Sequence, residues 1–228
     1  MTDLELDAQD DLYSRVVSRY PNLACIDAGY ITPKGLLALA MNCGSELHTV
    51  RFMFTPYHCD LSSDAVKRLC LACPKLTNIS LDFAGTDSNV ATLVQYCPQL
   101  VRLSLGGCMI TSNTLHTIST LTSLKYLNLK GLKTFSNTVL IALTKQLPLL
   151  EELRTSAKGT ATHTTTTPAT PDSATDADLL TCIGTYCPNM ITLQLGYGHG
   201  LSNESVLTLA RGCPQLQQVR HSLYILYI

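Results

Sequence analysis

Cys70 and Cys73 form a Cys-x-x-Cys pair. Thiolates at this spacing commonly share one tetrahedral zinc ion, so half of a zinc site is one interpretation. No second Cys-x-x-Cys and no His pair follows at zinc-finger spacing. Both cysteines also fall on the apolar stripe of a predicted helix, where small buried thiols behave as hydrophobic groups. We therefore expect core packing, and we expect neither a metal nor another cofactor.

Cys25 is the candidate nucleophile, because it falls on the outward side of the first predicted strand. A cysteine nucleophile needs a base positioned beside it. The six histidines are scattered over predicted strands, loops and helices, and none occupies a neighbouring outward position. The sequence also lacks paired carboxylates and a Gly-rich phosphate loop. Catalysis is therefore not predicted, and loss of a measured activity on replacing Cys25 would be needed to support it.

An apolar triplet of the form L-x-x-L-x-L, with other apolar residues in some slots, recurs eight times. Successive triplets start 24 to 29 residues apart, apart from one step of 40. The first residues of the triplets are Leu23, Leu47, Leu76, Leu100, Leu124, Leu150, Met190 and Leu216. A period of this length is typical of proteins built from stacked repeats.

A helix pattern precedes the triplets. Val66, Leu69, Cys70 and Cys73 stand at i, i+3, i+4 and i+7, which marks one buried helix face, and most repeats share this frame. A proline such as Pro74 then ends the helix, and the L-x-L part alternates like a strand with one buried face. Because a helix connects each strand to the next, the strands must be parallel. The predicted fold class is α/β: an open solenoid, or horseshoe, with parallel strands on the concave face and helices on the convex face.

The segment from Cys97 to Thr111 reads Cys-Pro-x-Leu-x-x-Leu-x-Leu-x-x-Cys-x-x-Thr. This unit resembles the cysteine-containing leucine-rich repeat of F-box/leucine-rich-repeat (RNI-like) proteins, and the resemblance extends from about Tyr13 to Val219. Members of that family are substrate receptors of SCF-type cullin ubiquitin ligases, and some relatives lack the F-box. The resemblance implies a leucine-rich-repeat solenoid, a protein partner and possible contact with SCF ligase components.

The predicted domain organisation is an acidic N-terminal tail at 1–11 and a solenoid of about eight repeats at 12–228. The tail is too short for an F-box of roughly 45 residues, so recruitment of a ligase through this chain is in doubt. The long step contains a Thr/Pro-rich insertion at 156–176, which has no large apolar residue and is expected to be disordered. The apolar ending HSLYILYI lacks a polar cap. It is interpreted as a truncation or, as the weaker alternative, as a strand awaiting a partner.

The outward strand residues of stacked repeats form a surface that a partner can cover. Arg and Tyr are residue types that anchor interfaces. A solvated sheet face is an equally weighted alternative for any single residue. The expected partner-binding residues on the concave face are Arg51, Asn78, Ser80, Arg102, Ser104, Tyr126, Asn128, Lys130, Glu152, Arg154 and Gln194.

The composition is that of an ordinary globular chain, with 228 residues of which 46% are hydrophobic and 14% charged. The net charge of -1 gives no overall attraction for nucleic acid or anionic lipid. No apolar run is long enough to span a membrane and no signal peptide is found. We expect a monomer with reduced thiols in the cytoplasm or nucleus.

The predicted function is a protein-binding module for substrate recognition in SCF-type ubiquitin-dependent degradation. The alternative is a leucine-rich-repeat scaffold or inhibitor with no ubiquitin-ligase link. Recovery of a cullin adaptor with the chain separates the two.

Overall fold

The computed structural model describes residues 3–43, 45–54, 61–132, 135–155, 174–196, 201–221 and 224–227. The chain divides into two compact units, Met1–Ile110 (unit 1) and Thr111–Ile228 (unit 2). Each unit alternates helices with short strands, as the repeat pattern predicts.

Unit 1 contains four helices and four strands within the described ranges. They are α1 (Asp3–Arg19), β1 (Cys25–Ile31), α2 (Pro33–Asn42), β2 (Thr49–Phe54), α3 (Ser63–Ala72), β3 (Asn78–Ser80), α4 (Asp87–Tyr96) and β4 (Arg102–Ser104). The four strands pair in parallel in chain order. Helix α1 begins at Asp3, within the range 1–11 that the sequence assigns to an acidic tail. The acidic residues between Asp3 and Asp11 therefore belong to this helix.

Unit 2 continues the alternation. Its elements are α5 (Ser112–Ile118), β5 (Tyr126–Leu129), α6 (Asn137–Thr144), β6 (Glu152–Thr155), α7 (Asp176–Tyr186), β7 (Thr192–Leu195), α8 (Asn203–Gly212), β8 (Gln218–His221) and β9 (Tyr224–Tyr227). Strands β5 to β8 are parallel, whereas β9 pairs antiparallel with β8. The apolar ending is therefore a strand that already has a partner.

Ser and Thr residues start the helices for a local reason. The hydroxyl oxygens of Ser62, Thr86, Thr175 and Ser202 each accept a hydrogen bond from the backbone N–H three residues later. These N–H groups have no partner inside the helix, so each cap stabilises its helix by about 1 kcal/mol. Helix α7 begins at Asp176, so the Thr/Pro-rich insertion ends there. Residues 156–173 of this insertion lie outside the described part of the chain.

Cysteines end most of the helices. Cys43, Cys73, Cys97, Cys187 and Cys213 are the C-cap residues of α2, α3, α4, α7 and α8, and each N–H donates to the carbonyl four residues earlier. Four of the five are followed by proline, which cannot extend the helix. The chain then turns into the next strand.

The core of each unit lies between its strands and helices. The inward strand residues Ile79, Leu103, Leu127, Leu153 and Leu193 are at most 2% exposed. Their outward neighbours are mostly half-buried. This alternation is the period-2 pattern of a sheet with one buried face, and it leaves the other face available to solvent.

Candidate partner-binding strand faces

Each unit has an outward strand face built from aligned rows of side chains. We call the face formed by Asp27, Arg51, Asn78, Ser80, Arg102 and Ser104 the unit 1 face. We call the face formed by Tyr126, Asn128, Lys130, Glu152, Arg154, Gln194 and Arg220 the unit 2 face.

The predicted rows are in register within each unit. On the unit 1 face, Thr49 pairs with Asn78 and Asn78 pairs with Arg102. The second row runs from Arg51 through Ser80 to Ser104.

The unit 2 face has the same order. Tyr126 pairs with Glu152, while Asn128 pairs with Arg154 and Arg154 with Gln194. Lys130 follows the end of β5 and is half-buried.

The register between β1 and β2 is irregular. Asp27 pairs with Arg51, but the pairing shifts before Tyr30, which lies opposite Met53. An irregularity of this kind inserts an extra residue into one strand, and the spacing of the repeats does not predict it.

One ion pair and two hydrogen bonds stabilise the unit 1 face. An Nη of Arg51 lies 2.5 Å from a carboxylate oxygen of Asp27. The Ser104 hydroxyl donates to Asp82 Oδ1 at 2.7 Å, and the backbone N–H of Gly106 donates to the same oxygen at 2.5 Å. Asp82 therefore fixes the end of β4, a role that the alternation of residues alone did not reveal.

Two outward residues of unit 1 contribute little surface. Thr49 is 3% exposed and its hydroxyl accepts a hydrogen bond from Asn78 Nδ2 at 2.8 Å. Ser80, one of the expected partner-binding residues, is 8% exposed, and its hydroxyl accepts from the Asp82 N–H at 3.4 Å. Both side chains are buried, so Asp27, Arg51, Asn78, Arg102 and Ser104 form the accessible part of this face.

Arg154 is the centre of the unit 2 face. Its Nε donates to Glu152 Oε1 at 2.5 Å, and its guanidinium carbon lies 5.6 Å from the centre of the Tyr126 ring. The two side chains of the ion pair are 39% and 20% exposed. A partly desolvated cation over an aromatic face contributes about 0.5–2 kcal/mol, so the guanidinium is held in a defined orientation.

The charge of the two faces differs. The unit 1 face carries Asp27 beside Arg51 and has Arg102 as its second cation, with Asp82 at its edge. The unit 2 face carries three cations, Lys130, Arg154 and Arg220, against the single carboxylate of Glu152.

Cys108 forms hydrogen bonds to the backbone of the segment that follows β3. Its Sγ donates to the Leu81 carbonyl at 3.0 Å and accepts from the Gly85 N–H at 3.2 Å. Burial raises the pKa of this thiol to about 12. The buried Cys108 thus has a structural role, because its thiol bonds the backbone of the segment that follows β3.

Cys25 is exposed, as predicted, and pairs in register with Thr49. An imidazole does come near this row, because His48 Nδ1 lies 3.1 Å from the Thr49 hydroxyl. In the described residues, no group of three or more His, Cys, Asp or Glu side chains is placed to hold a metal ion. Among the described helices, none has the length and apolar character needed to cross a membrane.

Solved structures resemble this chain in fold. The leucine-rich repeat-containing protein LegL7 from Legionella pneumophila shares 12% sequence identity, and the match covers 94% of this chain and 89% of LegL7 with a TM-score of 0.52. The predicted fold class, an open α/β leucine-rich-repeat solenoid with parallel strands, is confirmed.

Two further structures match with lower scores. A chain of the yeast Rad7 and Elc1 complex shares 14% identity over 96% of this chain and 70% of that chain, with a TM-score of 0.42. The tropomodulin C-terminal domain of Caenorhabditis elegans shares 10% identity over 90% and 92%, with a TM-score of 0.39. At these scores the two likenesses support no further conclusion.

No family model matches the chain. No curated protein matches it significantly.

Proposed function

We propose that this chain is a protein-binding module whose partner covers the outward strand faces. The observation that carries the proposal is the in-register alignment of half-exposed polar side chains, with Tyr126 and Arg154 at the centre of the unit 2 face. Aromatic and Arg side chains held in fixed orientations lose little entropy on binding and dominate the energy of protein interfaces.

The charge of the unit 2 face indicates the chemistry of the partner. Three cations against one carboxylate favour an acidic surface on the bound protein. We expect binding to weaken as salt is added, because exposed charges are screened over about 10 Å at 0.1 M salt.

We further propose that the bound protein is a substrate for ubiquitin-dependent degradation. The support for this step is the likeness of the Cys97 to Thr111 unit to the repeats of F-box/leucine-rich-repeat substrate receptors. A scaffold or an inhibitor without a ligase link makes the same contacts but does not associate with a cullin adaptor.

The test is affinity capture with identification of the bound proteins by mass spectrometry. One variant reverses three charges on the strand faces, Arg51→Glu, Arg102→Glu and Arg154→Glu. The control reverses three charges on the helices, Arg15→Glu, Arg68→Glu and Arg211→Glu. The two sets are matched because Arg51 and Arg154 each have a carboxylate partner, as do Arg15 and Arg68.

We expect the strand-face variant to lose the partners that the wild-type and helix-face chains retain. Separate variants of Arg51 with Arg102 and of Arg154 then assign the loss to unit 1 or unit 2. Retention of every partner by the strand-face variant, with a native circular dichroism spectrum, contradicts the binding proposal. Capture of a partner without any cullin adaptor supports the scaffold and contradicts the ligase role.

A further inference from the structure

Two cysteines from consecutive repeats of unit 1 are in direct contact. Cys43 ends α2 and Cys73 ends α3, and their Sγ atoms lie 3.1 Å apart although the residues are 30 positions apart in the chain. The sulfur atoms of a disulfide are about 2.05 Å apart. An approach of about 1 Å therefore separates the observed thiol pair from a covalent bond.

The two thiols differ in their surroundings. Cys43 is partly exposed, whereas Cys73 is 0% exposed. A hydrogen bond from Cys73 lowers the pKa of the Cys43 thiol, and the same bond together with burial raises the pKa of Cys73. The thiolate is the nucleophile that reacts with oxidants, so Cys43 is the reactive member and Cys73 is the protonated neighbour.

The same repeat position has different contacts in unit 2. Cys187 Sγ donates to the Thr144 carbonyl at 3.5 Å, and Cys213 Sγ donates to the Cys187 carbonyl at 3.3 Å. Burial raises the pKa of these thiols to about 12 and about 11. Position in the repeat alone therefore does not create a reactive pair, and the two unit 2 cysteines provide an internal comparison.

We propose that Cys43 and Cys73 form a peroxide-responsive disulfide that links the ends of α2 and α3. The Cys43 thiolate attacks one oxygen of hydrogen peroxide, the O–O bond breaks, and Cys43 sulfenic acid and hydroxide form. The Cys73 sulfur then attacks the Cys43 sulfur, the S–O bond breaks, and the departing oxygen takes up the Cys73 proton and leaves as water. The two thiols lose two electrons and two protons in total, and one peroxide is reduced to two waters.

Oxidation of the full-length reduced protein with stoichiometric peroxide tests this assignment. Free thiols are then blocked with iodoacetamide in denaturant, and non-reducing peptides are mapped by mass spectrometry. We expect a peptide that joins Cys43 to Cys73, with the mass of two hydrogen atoms lost, while Cys187 and Cys213 are alkylated. We also expect a higher thermal unfolding midpoint that dithiothreitol reverses, because a cross-link restricts the unfolded chain.

Cys43→Ser removes the reactive sulfur at a partly exposed site and should abolish the cross-link. Cys213→Ser is the matched control, because it replaces the equivalent helix-ending thiol in unit 2 and should leave the cross-link intact. A Cys43 that stays alkylatable, becomes sulfinic acid, or joins any cysteine other than Cys73 overturns the proposal. The wild-type peptide map gives this result even if a variant does not fold.

Discussion

The guanidinium of Arg154 lies over the ring of Tyr126 on the neighbouring strand and at the same time bonds Glu152 on its own strand. Three residues of unit 2 thus form one partly desolvated cluster of side chains. The arrangement orients the remaining N–H donors of Arg154 before any partner arrives. Such pre-organisation lowers the entropy lost on binding.

Arg154→Ala should weaken binding of the captured partner by about tenfold or more, as expected for an interface anchor. Arg154→Lys should restore only part of the affinity, since an ammonium keeps the charge but lacks the planar fork. Isothermal titration calorimetry measures both. Arg68→Ala is the control, because that Arg forms a comparable ion pair on helix α3. Wild-type affinity of Arg154→Lys would show that charge alone matters, whereas equal affinity of the Ala and Lys variants would show that charge contributes nothing.

Gly212→Ala should destabilise the protein, although replacing a helical Gly by Ala usually stabilises by up to about 1 kcal/mol. A Cβ at position 212 would overlap the carbonyl oxygen of Gly184, so α7 and α8 would have to separate. We expect the free energy of unfolding to fall by about 1–3 kcal/mol in urea titrations. Arg211→Ala, at the exposed neighbouring position, should change it by less than about 0.5 kcal/mol. A rise in stability for Gly212→Ala would contradict the close approach.

Cys108→Ala should lower the free energy of unfolding by about 1–2 kcal/mol, because the bonds to Leu81 and Gly85 are lost and a small cavity forms. Urea unfolding measures the change. Cys25→Ala is the control, since that thiol is exposed and its removal should cost less than about 0.5 kcal/mol. With its pKa raised to about 12, Cys108 should also react with iodoacetamide at pH 8 far more slowly than Cys25. Similar alkylation rates in the folded protein would argue against its buried position.

Asp178 should make the stability of unit 2 depend on pH. Its carboxylate accepts from the Thr175 N–H and the Thr175 hydroxyl, both at 2.8 Å, and the first of these bonds lowers its pKa most. The stabilisation is fully present above the unfolded pKa of about 3.9 and is lost as the pH falls through the lower folded value. Asp178→Ala should therefore lower the thermal midpoint at pH 7, and the difference from wild type should disappear in strong acid.

Asp178→Asn is the matched control for this prediction. Asn89 already performs the same capping role in α4, where its side-chain oxygen accepts from the Thr86 N–H at 2.9 Å. The Asn variant should keep most of the stability at pH 7 and show no titration from this site. A constant difference between Asp178→Ala and wild type from pH 7 to strong acid would assign the effect to packing instead.

The sequence predicted the repeat unit, the parallel pairing and the rows of both faces, because each depends on a simple period. Residues such as Asn78 and Arg102 are adjacent because equal spacing places them at equal positions in consecutive repeats. The expected role of the strand faces in binding stays a prediction. A strand is the weaker of the two interpretations that the sequence gives for the apolar ending HSLYILYI. Strand β9 runs antiparallel to β8, and this direction depends on a turn and not on the repeat period.

The contacts that distinguish one repeat from another could not be predicted. Cys43 and Cys187 occupy equivalent positions, yet one contacts a thiol and the other a backbone carbonyl. Sub-ångström differences in helix placement decide such contacts, and these depend on the packing of many side chains. The sequence analysis does not predict the helical start at Asp3, because acidic residues outnumber apolar ones between residues 3 and 11.

Each strand contributes one residue to each outward row, and this spacing limits the form of the proposed protein partner. Neighbouring strands are about 4.8 Å apart, whereas alternate residues of an extended peptide are about 6.7 Å apart. A peptide laid across four strands would therefore fall out of step by about 6 Å. One turn of an α-helix rises about 5.4 Å, so a helix in the same place would drift by only about 2 Å. The spacing of the rows thus matches a helical surface far better than a linear motif.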